Sequence, residues 1–597
     1  MVTALIAYSN TFSVPFQWDD IPQILMNENL QDLSSFNNAP SWMDVNQRPL
    51  SKYTLALNWQ YGGEDVRSYH IVNLLFHILT ALLVYFLTTY SIALLSRDEK
   101  IDQRMKQPVA LFVTLLFLLH PLQTMAVTYI TQRMTVMAAL FYVLSVYMYA
   151  RGRVAYVHEN KTRNSIIFLS LAVISGILGL MSKQNAVTFP AAFLLYELFF
   201  IRRPDGKICR KYLLSAGTLL VVAFFIVLFG GYLPAETDRF TRSGYFITQL
   251  GVIHKYLLLL ILPINQSADY FIAGHTFIGV YEILGIILVG LFLFLGVYLF
   301  RKNKLISFGI FFFFLSASVE SGLIPIKDVM MEHRMYLPML GFVFVLAGLI
   351  LKYFPYKRLT LQYFLGGLVL VILTIATFNR NKVWQSEVSL WQDCLDKNPT
   401  SARAMNNLGF AIKGNAMKIK DPATRTRELN LAITYFTSAM GGDTIFTDAF
   451  LNRGHAYIEL GKYNKALSDI ERIANQRPKE RYLKHYLEGV VYARKGEMQP
   501  ALQSLNEAIR LNQEFALLFT WRGLVHESLE DHRNAIADFK RSLELDASQT
   551  LLMINLSNAH FALEEMAQAL YWAQQARNAG EVVDPQYIKD LESKINR

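Results

Sequence analysis

Two adjacent carboxylates, Asp19 and Asp20, close the run Phe16-Gln17-Trp18-Asp19-Asp20. Paired acids beside aromatic rings can supply a general base whose pKa is set by its neighbours. The same pair could bind a divalent cation through oxygen ligands, while the commoner use of a lone acidic pair is a turn or helix cap. Three other segments combine polar side chains with a turn. His120-Pro121-Leu122-Gln123-Thr124 leads on to Gln132 and Arg133, and Pro121 stops the preceding helix. Ser182-Lys183-Gln184-Asn185 sets a lysine at the end of an apolar stretch, suited to a phosphate or to plain snorkelling. Glu332-His333-Arg334-Met335-Tyr336-Leu337-Pro338 offers a guanidinium, whose planar fork grips phosphate bidentately. His70 and His77 lie about 10 Å apart along a helix, too far to share a metal. With Tyr69 and Asn73 they read as a polar seam, and no metal site is expected there.

These segments punctuate an apolar chain. Of its 597 residues, 53% are hydrophobic and 17% charged. That excludes a disordered chain and is too apolar for a soluble enzyme of this size. Two cysteines cannot form a disulfide framework. Residues 1–379 carry 29 basic and 20 acidic residues, whereas 380–597 carry 28 and 27. A positive excess confined to the apolar part is a sign of membrane topology, and no nucleic-acid partner is expected.

Apolar runs recur at 71–95, 108–119, 135–150, 165–181, 186–201, 212–231, 278–300, 305–324, 336–351 and 361–378. A helix needs about 20 apolar residues to cross the hydrocarbon core, so the N-terminal part is expected to be polytopic. Loops 97–106, 151–163, 202–211, 301–304 and 352–358 hold 19 basic residues against 5 acidic ones, which assigns them to the cytoplasm. Keeping all five there requires 246–262, with Gln249, His254 and Lys255, to be interfacial or re-entrant. The expectation is about eleven spans, N-terminus inside and C-terminus outside. The stretch before Trp18 is short for a crossing on its own.

Beyond 380 a different period appears. Gly454, Gly489, Gly523 and Ser557 recur at intervals of 35, 34 and 34, each followed twelve residues later by Ala466, Ala501, Ala535 and Ala569. This is the tetratricopeptide pattern of paired antiparallel helices, whose stacking buries a continuous core. About five repeats are expected, with an insertion near 413–424 in the first and a capping helix over 584–597. The expected fold class is therefore all-α: membrane helices over 1–379, then a tetratricopeptide-repeat α-solenoid over 380–597. Since the last span exits, the array is placed outside the cytoplasm.

Taken in order, Trp18-Asp19-Asp20, Arg48-Pro49-Leu50, the stretch from Tyr69-His70 to His77, His120-Pro121 with Ala126-Val127, Gln132-Arg133, Lys183 and Glu332-His333-Arg334 through Pro338 resemble a known family. It is that of the transmembrane and tetratricopeptide repeat-containing proteins, relatives of protein O-mannosyltransferases with the GT-C fold. The resemblance covers nearly the whole chain. It implies a GT-C-like domain that moves a sugar from a polyprenyl-phosphate donor to Ser/Thr hydroxyls of an acceptor protein, with inversion. Asp19 is then the base and Asp20 orients it. Lys183, Arg334, Arg133 and His333 hold the donor phosphate, and Arg48, His120, Gln123, Glu332 and Tyr336 shape the site. The lipid-linked sugar is a substrate rather than a cofactor, the repeats bind the acceptor protein, and the donor arrives from membrane lipid. Met125 and Gln184 stand where the family commonly has Glu. The compact loops favour a bacterial inner membrane with periplasmic repeats; a eukaryotic chain would sit in the endoplasmic reticulum with lumenal repeats.

Two other classes compete. A non-catalytic scaffold would use its repeats to recruit cell-envelope or pilus assembly proteins, and Asp19 would be dispensable. A transporter would carry charges deep in several spans and show two repeated halves. Only Glu197, Glu282 and Glu320 lie near spans, and no internal repeat is visible among them.

Overall fold

The computed structural model describes residues 2–36, 47–96, 101–201, 217–218, 241–272, 278–322, 324–326, 328–354, 359–441, 447–476 and 481–595. These are helices and turns, with no strand among the described residues. The chain divides into two compact units, Met1–Lys397 and Asn398–Arg597.

In the first unit the helices follow the apolar runs. Val66–Leu95 has 30 residues and starts where the Asp65 side chain accepts from the Arg67 N–H. At 1.5 Å per residue it is about 45 Å long, ample for the hydrocarbon core. Among the described residues six helices are long and apolar enough to cross a membrane, or seven if the pair bent at His120 counts as one span. Two shorter apolar helices, Lys304–Ala317 and Met339–Tyr353, run beside them. The chain is a multi-pass membrane protein. Eleven crossings are not reached among these residues, and the run 212–231, apart from 217–218, lies outside them.

The helices alternate between two ends of the bundle. One end holds Arg104, Lys106 and the basic residues that follow Val157 and Leu299. The other gathers Asp19, His120, Lys183, Glu320 and the Glu332–Met335 turn. Arg242–Ile261 does not alternate, although its length and hydropathy would let it cross. Near its start the Tyr245 hydroxyl donates to Glu320 O at 2.8 Å, and Gln249 Nε2 donates to Val329 O at 2.7 Å. Near its end Leu260 O accepts from His120 Nε2 at 3.1 Å. Both of its ends are therefore fastened to the same end of the bundle, so the helix lies across that end.

The loop assigned to 151–163 starts later than the sequence suggests. Arg133–Val157 is one helix, and Arg153 lies inside it rather than in a loop. Its guanidinium is fully buried and binds Glu197 of Phe189–Phe200 through Nε (2.9 Å) and Nη2 (2.6 Å). The Tyr149 hydroxyl donates to the same carboxylate at 3.0 Å.

The second unit is a series of helix pairs: Ala402–Met417 with Pro422–Ala439, Thr447–Glu459 with Tyr463–Gln476, Arg481–Lys495 with Met498–Leu511, Ala516–Ser528 with His532–Leu545, and Leu551–Ala562 with Met566–Asn578. Pro585–Ile595 follows, and Ala466, Ala501, Ala535 and Ala569 are all fully buried. The small residues do not act alike. A Cβ on Gly523 would come within 2.5 Å of the Phe539 ring, and one on Gly489 within 2.6 Å of Leu505. At Gly454 the nearest atom is 3.9 Å away. Gly523→Ala is therefore expected to cost about 1–3 kcal/mol through overpacking. Gly454→Ala should gain about 0.5–1 kcal/mol from helix propensity. Thermal unfolding of the two variants, followed by circular dichroism, separates them; equal shifts would sink the packing argument.

Candidate functional site

Two groups of side chains meet at the end of the membrane unit that carries the motifs. The first is the aromatic-acidic turn. Trp18 adopts a left-handed backbone with φ +52°, uncommon for a bulky residue. Its ring is boxed by Tyr129, Trp384 and Trp391, with centroids 5.6, 5.9 and 5.2 Å away. The two carboxylates that follow are not equivalent. Asp20 is 1% exposed. Its Oδ2 accepts from the Gln17 N–H at 3.1 Å and its Oδ1 from the Thr131 N–H at 2.8 Å. Burial pushes its carboxyl up to about 7, against those two bonds, which favour the charged form. Asp19 is exposed, and it is its backbone that is engaged: its N–H donates to the Tyr129 hydroxyl at 2.9 Å and its carbonyl accepts from the Gln23 N–H at 3.0 Å. The turn thus spends one carboxylate on its own backbone and leaves the other open to water. A cation at the pair would meet one open carboxylate rather than two.

The second group is a buried charge cluster. Lys183 follows directly on Thr162–Ser182, and its Nζ lies 2.6 Å from Glu320 Oε1 and 3.1 Å from Thr135 Oγ1. Glu320 Oε2 also accepts from Asn185 Nδ2 at 3.4 Å. Arg334 donates through Nη1 to the Tyr245 hydroxyl (3.2 Å) and to Val329 O (2.8 Å), and through Nη2 to Asp328 O. His333 is buried beside these cations, with no hydrogen-bond partner for Nδ1. Burial, then repulsion from Lys183, Arg334 and Arg48, holds its imidazole well below the ordinary histidine value. Arg48 joins the two groups. It too has a left-handed backbone, with φ +52°, and its Nε donates to Gln184 Oε1 at 3.2 Å. Burial lowers its guanidinium, opposed by the charges of Glu320 and Asp19.

The Lys183–Glu320 pair is uneven. Burial draws the ammonium below its usual value despite the carboxylate, with Arg48 and Arg334 adding repulsion. Burial also raises the carboxyl, but Lys183 and Arg334 together outweigh it, so Glu320 sits below the ordinary glutamate value. A depressed acid stabilises the fold above its unfolded pKa and loses that contribution as pH falls through its folded pKa. Glu320→Gln should therefore lower stability at neutral pH and flatten the acid limb of the stability–pH curve. Thermal midpoints from pH 7 down to pH 3 test this; parallel curves for variant and wild type would contradict it.

The structure thus brings together Asp19, Arg48, Lys183, His333 and Arg334. The other residues implied by the resemblance are placed differently. Arg133 is fully buried, and its guanidinium donates to Asn73 Oδ1 (2.7 Å), Thr54 O (2.8 Å) and Tyr69 O (3.2 Å), tying three helices together. His120 donates through Nε2 to Leu260 O and accepts from the Leu122 N–H through Nδ1 at 3.2 Å, which caps the Pro121 turn. The Tyr336 hydroxyl donates to His77 Nδ1 at 2.6 Å, and His77 Nε2 donates to Leu118 O at 3.0 Å. That completes the polar seam, in which His70 Nε2 reaches Val14 O at 2.8 Å. Gln123 is fully buried with neither amide atom hydrogen-bonded. Glu332 belongs to a separate network. It accepts from the Tyr270 hydroxyl (2.7 Å) and Gln266 Nε2 (2.9 Å), and lies 3.8 Å from Arg380 Nη2. Burial raises its carboxyl, with Arg380 opposing. Arg380 Nη1 in turn binds Asp393 Oδ2 at 2.8 Å, and Lys397 binds the other Asp393 oxygen at 2.6 Å.

Sequence reasoning missed Glu320, Trp384 and Trp391 as members of these groups. Glu320 carried a faint signal, a carboxylate at the end of an apolar run. The tryptophans lie just past 379, in the part read as repeats.

Comparisons with known proteins bear on both units. The tetratricopeptide repeat family model matches residues 447–480 and 517–549. Human protein O-mannosyl-transferase TMTC3 is 23% identical over 638 residues, covering 96% of this chain and 66% of that protein. Human protein O-mannosyl-transferase TMTC4 is 23% identical over 478 residues, covering 69% of this chain and 63% of that protein. The chain thus spans just under two thirds of the length of these relatives. A solved tetratricopeptide repeat protein of Thermus thermophilus is 19% identical, covers 33% of this chain and 100% of its own, and superposes with a TM-score of 0.26.

Proposed function

We propose, from the premise that this chain belongs to the family of protein O-mannosyl-transferases that join membrane helices to tetratricopeptide repeats, that it is a protein O-glycosyltransferase using a polyprenyl-phosphate sugar as donor. Asp19 takes the proton from a Ser or Thr hydroxyl of the acceptor protein as that oxygen attacks the anomeric carbon. The bond from that carbon to the lipid phosphate breaks, configuration inverts, and the phosphate leaves with the bonding electrons. Arg48, Lys183 and Arg334 stabilise the charge that grows on the leaving phosphate, as fixed cations in a dry site do best. Phosphate is a good leaving group under these conditions, so no separate acid is needed. Asp20 holds the turn that presents Asp19. The repeats bind the acceptor, on the periplasmic side of a bacterial inner membrane or in the lumen of an endoplasmic reticulum.

One observation carries this reading: Arg48 donates to Gln184, the neighbour of Lys183 in the buried cluster, and the charges of Glu320 and the exposed Asp19 both act on its guanidinium. A base open to water and a set of cations for a lipid phosphate then lie within electrostatic reach of each other. Mass spectrometry of membrane and exported proteins, with and without this gene, tests it. Hexose-bearing Ser or Thr peptides should disappear with the gene. An unchanged set of glycopeptides, with partner proteins lost on deleting 398–597, would favour the scaffold instead.

A further inference from the structure

A second cationic feature lies at the opposite end of the bundle, where the basic loops gather. Phe189–Phe200, Val280–Leu299 and Lys304–Ala317 enclose a cleft of about 590 Å³. Its walls are apolar, with Phe199, Phe300 and Phe311 among them, and Tyr298, Arg301 and Lys302 also line it. Phe199 and Phe300 meet edge to face at 4.9 Å. Lys302 Nζ sits 3.8 Å from the centre of the Tyr298 ring and donates to its hydroxyl at 2.5 Å, which keeps the ammonium at the cleft. Arg301 and Lys302 are exposed, and neither pairs with a carboxylate among the described residues.

We propose that this cleft binds an anionic phospholipid, its phosphate on Arg301 and Lys302 and one acyl chain between the aromatic walls. The walls belong to membrane helices, so the natural occupant is a hydrocarbon chain. The cations stand at the helix ends, where headgroups lie and where each basic residue attracts anionic lipid. A free anion would leave the walls empty. A zwitterionic lipid brings its own cation to a place that already has two. Charge complementarity therefore selects a lipid with net negative charge. The inference does not depend on the transferase reading, since none of these residues is part of that site.

Native mass spectrometry of the full chain in mild detergent, titrated with phosphatidylglycerol or phosphatidylcholine of matched chains, tests the proposal. Wild type should bind phosphatidylglycerol about thirtyfold more tightly, from two cations near the headgroup. The double variant Arg301→Gln/Lys302→Gln should bring the two lipids to within about threefold. Both side chains are exposed, so the variant's thermal midpoint without lipid should match wild type. A preference below about threefold in wild type, a preference retained by the double variant, or closure of the cleft by a second copy of the chain in place of lipid would overturn it.

Discussion

Asp19→Asn should reduce sugar transfer by roughly 10²–10⁴-fold, the range spanned by a positioned general base, while the protein inserts and folds as before. The substitution keeps shape and removes the ability to accept a proton. It costs the fold little, because the Asp19 side chain is exposed and the turn is held by its backbone N–H on Tyr129. Asp20→Asn should behave otherwise. Both oxygens of Asp20 accept backbone N–H groups, and an amide nitrogen in place of one would face a donor. That variant should lose stability as well as rate. Initial rates with a lipid-linked donor, read beside thermal midpoints, distinguish the two. A fully active Asp19→Asn would remove the proposed base.

Glu197→Gln should destabilise the membrane unit by about 3–5 kcal/mol, since it strands a buried guanidinium without its counter-charge. Arg153 and Glu197 are 0% and 1% exposed, and two hydrogen bonds join them. Replacing both, as Arg153→Met with Glu197→Leu, should recover most of the loss, because apolar pairs of similar volume suit such a site. The double-mutant cycle, measured by thermal unfolding in detergent, is expected to be strongly non-additive. Additive single effects would mean that the pair does not act as a unit. Transfer per folded molecule should be unchanged, since the pair lies at the end of the bundle away from Asp19.

Periodic features were legible in the sequence. The alanines twelve residues after each small residue are buried because every repeat solves the same packing problem. Even so, Gly454 shows that a repeated glycine need not mark a tight contact. Loop charge and helix length read Arg242–Ile261 differently: parity asks for a lateral helix, whereas its length and hydropathy would let it cross. Span number was harder, since short helices such as Met339–Tyr353 fall below the length that hydropathy alone can settle. The site was partly legible. Asp19, Arg48, Lys183 and Arg334 stand in motifs whose order is informative. Arg133 and His120 stand in equally well-marked motifs, yet their hydrogen bonds are spent on the Asn73 side chain, backbone carbonyls and a turn. Motif order does not separate residues that build a site from those that hold its walls. Glu320 was missed because its partner Lys183 is remote in sequence, and no local pattern records a contact made only in space.

Arg380 binds Asp393 through one nitrogen at 2.8 Å and turns another toward Glu332, 3.8 Å away. The helix Glu387–Lys397 of the membrane unit is thereby tied to the Glu332–Met335 turn that carries His333 and Arg334. Within the membrane unit, a shift of Glu387–Lys397 would be passed to that turn through Arg380 and to Gln266 through Lys397.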